Sequence, residues 1–198
     1  MTTNTVPTLI LASTAPWRAA LLRRTGVPFQ TMSPPYQELN PEDKKPIDIS
    51  ILHAIGKADS AAKVRPGTWI LAADQTAEWQ GECLRKPNSK DECIHQLKQL
   101  MGSSHQLHSA IALHNPETKT THHRVTTVTL TMRSFTDAQL IAYVEADQPL
   151  GCVGGYMFEK RGVTLFSSID CDDSAIVGLP IAALCDLLES QGFPLFQG

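Results

Sequence analysis

Residues 9–24, "LILASTAPWRAALLRR", change period in the middle. A continuous apolar run stops at Ser13, and from Ala15 to Arg24 the spacing is helical, with Ala19, Leu21 and Leu22 available for one face. A buried strand that passes straight into a helix needs a partner for each, so the rest of the chain decides what kind of sheet receives them.

Trp69 to Trp79 and Glu82 to Leu84 read as two strands joined at the tight turn Gln80-Gly81. Leu107 to His114 and Val125 to Met132 form a second pair. In the latter, Val128, Leu130 and Met132 alternate with Thr127, Thr129 and Thr131, which buries one face. Helical spacing returns over Ile49–Lys63, with Lys57 on the border of the core-facing stripe, and over a segment opened by the capping pair Ser89 and Glu92 and closed by Gly102. A further helix runs from Thr136 and Gln139 to about Ala146, and a last one from Pro180 to Gln191. Val163–Ile169 reads as a late strand, and the Pro- and charge-rich Pro34–Pro46 as an exposed loop.

This order predicts an α/β domain with a mixed sheet rather than a purely parallel one. No repeat or linker divides it, so residues 1–198 are expected to form a single domain, with residues 1–7 as a flexible N-terminal tail.

The 198 residues, 42% hydrophobic, suffice for a real core, and a net charge of -3 without a basic stripe leaves no footprint for a nucleic-acid polymer. The apolar runs are too short to cross a bilayer, and Met1 to Thr8 has no signal-peptide character. A cytoplasmic protein with neither a membrane nor a nucleic-acid partner is expected. Cys83, Cys93, Cys152, Cys171 and Cys185 are scattered without a C-x-x-C, so reduced, mostly buried thiols are expected. His105 and His108 form H-x-x-H, but on a strand residues three apart face opposite ways, which argues against a zinc site.

Three places can carry chemistry. At the strand-to-helix junction, Ser13 and Thr14 offer hydroxyls, Pro16 suits the first helical turn, and Arg18 offers a fork matched to phosphate oxygens. The same residues are also an ordinary helix start. Asp74 follows the apolar "WILAA", so its carboxylate must be exposed at a cleft, paired, bound to a metal, or held by backbone donors. Lys86 follows the partner strand and either brings a cation to that end of the sheet or is a solvated turn residue. Gly154-Gly155 suits either close approach of a ligand or a tight turn.

Taken in order, "LASTAPWR", Glu38, "GKA" at 56–58, "AADQT", "RKP", "GGYMFE" and "VGLPIAAL" resemble the motifs of the Maf family of nucleoside triphosphate pyrophosphatases, from Leu9 to about Gly192. The resemblance implies an α/β fold of the Maf/ITPase-like kind, a mixed twisted sheet with flanking helices and two lobes around a cleft. It implies a homodimer that hydrolyses a nucleoside triphosphate substrate to monophosphate and pyrophosphate with a divalent metal, Mg2+ or Mn2+. By position, Ser13, Arg18, Lys57 and Lys86 would bind phosphate, Asp74 would be the proton acceptor, and Glu38 would help hold the metal. Trp17, Gln75 and Glu159 stand at the specificity positions, and their combination is similar to the subgroup that prefers 7-methyl-GTP. The alternatives are a dTTP/UTP pyrophosphatase of the same family and a non-catalytic, nucleotide-sensing regulator of cell division. The chain departs from the family pattern at Gln37, which removes one carboxylate from the acidic loop, at Arg85, and at Ser174-Ala175.

Overall fold

The computed structural model describes residues 7–39, 41, 43–170, 172–193 and 195, so the expected tail lies, apart from Pro7, outside the described residues. One sheet carries seven strands: β1 (Leu9–Ala12), β2 (Phe29–Met32), β3 (Trp69–Trp79), β4 (Glu82–Cys83), β5 (Ser104–Asn115), β6 (Thr120–Met132) and β7 (Phe166–Asp170). Their order is β2-β1-β3-β5-β6-β7, with β4 added on β3. β1 pairs in parallel with β2 and β3, and every other pairing is antiparallel, which is the mixed sheet expected. The helices are α1 (Pro16–Arg23), α2 (Pro46–Val64), α3 (Lys90–Leu100), α4 (Asp137–Asp147), α5 (Asp173–Ile176) and α6 (Ile181–Ser190).

Four local readings differ from the sequence. The short, polar β2 carries no apolar alternation, and its place is set by pairing with β1 rather than by its own pattern. α2 starts three residues earlier than its periodicity, because Pro46 occupies the first turn, where a missing N–H costs nothing. Arg161–Leu165 is a 3-10 turn, so the late strand begins only at Phe166. The acidic stretch before "AIVGLP" forms α5, capped by Asp172 Oδ1, which accepts from Ser174 N at 2.8 Å. The thiols are also less buried than expected: Cys93 is buried, Cys83 exposed, and Cys152 and Cys185 in between, all free, while Cys171 lies outside the described residues.

The alternation of β3 sends its residues to two different cores. Ile70 and Ala72 face α2 with Ala54, Ala58, Ala61, Ala110 and Ala112, a layer of mostly small side chains that lets the helix lie close to the sheet. Leu71 and Ala73 face the opposite side with α1 and α6, and Ala77 joins a third cluster with α3, α4 and β6. Asp74 therefore shares the α2 face, and Gln75 the other.

β5 pairs along one whole edge of β3, whereas β1 covers only Trp69–Leu71 of the other edge and β4 only Glu78–Trp79. The stretch of β3 between them is uncovered by strands, and there the molecule opens.

The loop before α2 is not free. The Tyr36 ring lies over Gly56, where a Cβ would overlap it, and its hydroxyl is 3.0 Å from Nδ1 of the buried His53. Gly56→Ala is expected to displace Tyr36 and destabilise the fold by about 1–3 kcal/mol, read by urea unfolding. An unchanged midpoint would contradict the contact.

His105 and His108 point to opposite faces, as expected: His105 meets Tyr156 Oη at 2.8 Å, and His108 meets Glu78 and Thr127 at 2.9 Å each. Among the described residues no cluster of three or more His, Cys, Asp or Glu could hold a metal. Burial pushes the His105 imidazole from 6.5 down to about 4. The unfolded chain thus binds this proton well before the folded one, and the stability due to the neutral ring is lost as the pH falls from about 6.5 towards about 4. Replacing both His105 and Tyr156 by Phe removes this loss. The unfolding free energy of the wild type, relative to that variant, is expected to drop by about 2 kcal/mol between pH 7 and pH 5; a pH-independent difference would contradict it.

Candidate active site

The gap along β3 opens into a cleft of about 510 Å³, within the size range of small-molecule sites. Ser13, Trp17, Arg18, Glu38, Lys57, Asp74, Gln75, Lys86 and Glu159 all line it, so every site residue expected from the sequence reaches one cavity.

At its floor stands Asp74, 6% exposed, at the point where β3 runs out from beneath β1. Lys57 comes down from α2, three residues after Ala54 and one before Ala58, on the edge of the stripe that packs on the sheet. Its Nζ donates to Asp74 Oδ1 and to Glu38 Oε1, both at 2.6 Å. Burial by itself would raise the Glu38 carboxyl, but the Lys57 hydrogen bond and the charges of Lys57, Lys86 and His53 outweigh it and hold Glu38 below the usual carboxylate value.

The wall on the α1 side is built at the junction where β1 passes into α1. No side chain caps α1, Pro16 has no N–H, and the remaining donors of the first turn are available to an anion. Ser13 Oγ accepts from Ala15 N at 3.2 Å and keeps its own proton to donate.

Arg18 spends part of its fork on the protein: Nη1 donates to Ala73 O at 3.0 Å, on the strand-free stretch of β3, and Nε to Gly178 O at 3.1 Å. Burial lowers the Arg18 pKa, opposed by Asp74 and Glu38. The guanidinium thus has its second nitrogen edge left for a ligand. Gln75 is likewise committed. Its Nε2 donates towards Ser109 Oγ, Ala175 O and Ile176 O at 2.7, 2.9 and 3.0 Å, which leaves Oε1 as its open polar atom.

Trp17, 36% exposed, lines the cleft from α1, and exposed Glu159 lines it from the segment beyond the turn Val153–Gly155. Lys86 and Glu159 both act on the Cys152 thiol, whose pKa is raised first by burial, then by Glu159. Tyr36 and Phe158, which the sequence reading passed over, add aromatic surface to the cleft. Tyr36 stands two residues before Glu38, and Phe158 lies within "GGYMFE".

Arg18, Lys57 and Lys86 face Glu38, Asp74 and Glu159, so the charges balance before any ligand arrives. Two carboxylates on one wall, with no third acidic, His or Cys ligand grouped with them among the described residues, fit a hard divalent cation that takes its remaining oxygens from water and from a bound phosphate. They do not form a self-sufficient metal cage.

Comparison with known proteins gives the chain's family and fold. A family model described as "Maf-like protein" matches residues 8–191. Relatives include a "7-methyl-GTP pyrophosphatase" of Hahella chejuensis, 37% identical and covering 94% of each chain. Proteins of the same name from Xanthomonas oryzae pv. oryzae, 34% identical over 96% of this chain and 100% of theirs, and from Cupriavidus pinatubonensis, 32% identical over 99% of each, also match. Among solved structures the Ham1 protein of Staphylococcus aureus shares the fold, with a TM-score of 0.50 and 16% identity over 94% of this chain and 97% of that one. The chain belongs to the Maf family.

Proposed function

We propose that this protein is a nucleoside triphosphate pyrophosphatase whose preferred substrate is 7-methyl-GTP, cleaved to the nucleoside monophosphate and pyrophosphate in removal of a non-standard nucleotide. The observation that carries the reading is the Glu38–Lys57–Asp74 cluster at the floor of a cleft that also holds Arg18 and Lys86. The names of the full-length relatives support the substrate.

The triphosphate lies along Lys57, Lys86, the open edge of Arg18 and the N–H groups at the start of α1, with Ser13 donating its hydroxyl. These groups offset the negative charge that otherwise repels a nucleophile. Asp74 takes a proton from water as its oxygen bonds to the α-phosphorus; the bond from that phosphorus to the bridging oxygen breaks, and pyrophosphate leaves with the electron pair. Glu38 and Asp74, together with the phosphates, would hold Mg2+ or Mn2+, which supplies further charge compensation and polarises phosphoryl oxygens when bound.

Beside the phosphates the base meets Trp17, next to Arg18 on α1, and Glu159. N7-methylated guanine is cationic, so a stacked indole gains cation-π attraction and a carboxylate offsets the charge. Gln75 Oε1 is an acceptor, suited to the N–H groups of guanine's Watson–Crick edge. A homodimer acting in the cytoplasm is part of the same reading; among the described residues no helix is long and apolar enough to cross a membrane.

Pyrophosphate release from a panel of nucleoside triphosphates, with Mg2+ or Mn2+, tests the reading directly. The wild type is expected to favour 7-methyl-GTP, and Asp74→Asn to lose about 10²–10⁴-fold in kcat. Preference for dTTP or UTP would move the protein to the other substrate class of the family, and saturable binding without release would make it a sensor.

Trp17→Arg combined with Glu159→Gln is expected to lower the 7-methyl-GTP to UTP ratio of kcat/KM by about tenfold or more. An unchanged ratio would contradict the role given to these two side chains.

A further inference from the structure

We propose that Lys57 is a phosphate-operated release: in the free protein its ammonium fills the place between Glu38 and Asp74 that a divalent cation needs, and a phosphate competing for that ammonium frees the two carboxylates for the metal. The inference rests on the reading of the cleft as a triphosphate site and adds to it an order of events, in which the carboxylates become metal ligands only after phosphate has engaged Lys57.

The geometry carries it. Lys57 Nζ lies 2.6 Å from Glu38 Oε1 and 2.6 Å from Asp74 Oδ1, so one ammonium satisfies both charges at once. An ammonium and a divalent cation compete for the same lone pairs and repel each other, so they cannot share that space. The other two cations of the cleft do not hold these carboxylates. Arg18 is tied to the carbonyls of Ala73 and Gly178, and among the described residues exposed Lys86 makes no ion pair.

Lys57 is also built to move. It is a point charge on a flexible stem, and its third N–H is not used by either carboxylate. A phosphate arriving at the α1 wall attracts that ammonium and brings oxygens that complete the coordination of a hard cation, which the two carboxylates alone cannot do. The ammonium moves to the phosphate, and the metal replaces it between the carboxylates, so neither anionic group is left without a cation beside it. Glu38 remains in place because Tyr36, two residues before it, is held by Gly56 and His53.

The test uses Mn2+ alone, with no nucleotide, and reads free Mn2+ by electron paramagnetic resonance in the presence of the full-length protein. Lys57→Met is expected to bind Mn2+ at least about tenfold more tightly than the wild type. The double variant Lys57→Met/Glu38→Gln is expected to lose that gain. Equal affinity of Lys57→Met and wild type would overturn the proposal, as would a gain that survives removal of the Glu38 charge.

The wild type, which requires no substitution to fold, provides a second arm. A crystal structure with inorganic pyrophosphate and a chelator is expected to show Lys57 Nζ on a phosphate oxygen and away from Asp74; Lys57 still bridging both carboxylates would overturn the proposal. Both arms are read without turnover. An active enzyme can therefore fail them while the pyrophosphatase reading stands, and an inactive one can pass them.

Discussion

One ammonium group holds three parts of this molecule together. Asp74 ends an apolar stretch of β3, where an unpaired carboxylate would be costly to desolvate, and Glu38 lies on a loop with no regular structure of its own. Lys57 satisfies both from α2, and so joins strand, loop and helix at a single point. It reaches that point because α2 meets the sheet through alanines, 54, 58 and 61 against 72, 110 and 112, and a helix packed on small side chains sits low enough for a lysine at its edge to touch the strand beneath. Larger residues in that layer would lift the helix and separate the charges.

The second organising contact is made from the opposite face of β3. Arg18 and Gln75 both donate to carbonyls of the 175–178 segment, and Arg18 also to the uncovered carbonyl of Ala73. The chain thus closes the unpaired stretch of β3 with side chains rather than with another strand, which leaves room for a ligand. Residues that line the cleft are at the same time those that fix α5 and the following glycine turn. A change at position 75 therefore alters the shape of the cleft as well as its chemistry.

Much of this was legible in the sequence, and for identifiable reasons. Strand and helix periods gave the mixed sheet and most helices, and the apolar run before Asp74 marked a carboxylate in need of a partner. Expectations failed where tertiary contacts override local pattern. The polar β2 is a strand because β1 offers an edge, and α5 forms in an acidic stretch without helical spacing because the Asp172 side chain caps its first turn. Nor could spacing reveal that Gln75 turns its amide nitrogen towards the 175–176 carbonyls, since these lie a hundred residues later in the chain. Motif order placed Glu38, Lys57 and Asp74 in one site. Their sharing of a single proton-rich group became apparent only with the loop folded over Gly56.

In the ligand-free protein Lys57 is paired with Asp74, and the pair should be coupled energetically. A double-mutant cycle on unfolding free energy, with Lys57→Met, Asp74→Asn and the pair, measures this coupling directly. An interaction energy of about 1–3 kcal/mol is expected, with the double variant less destabilised than the sum of the two single ones. Strict additivity would mean that the two groups do not hold each other, and would contradict it.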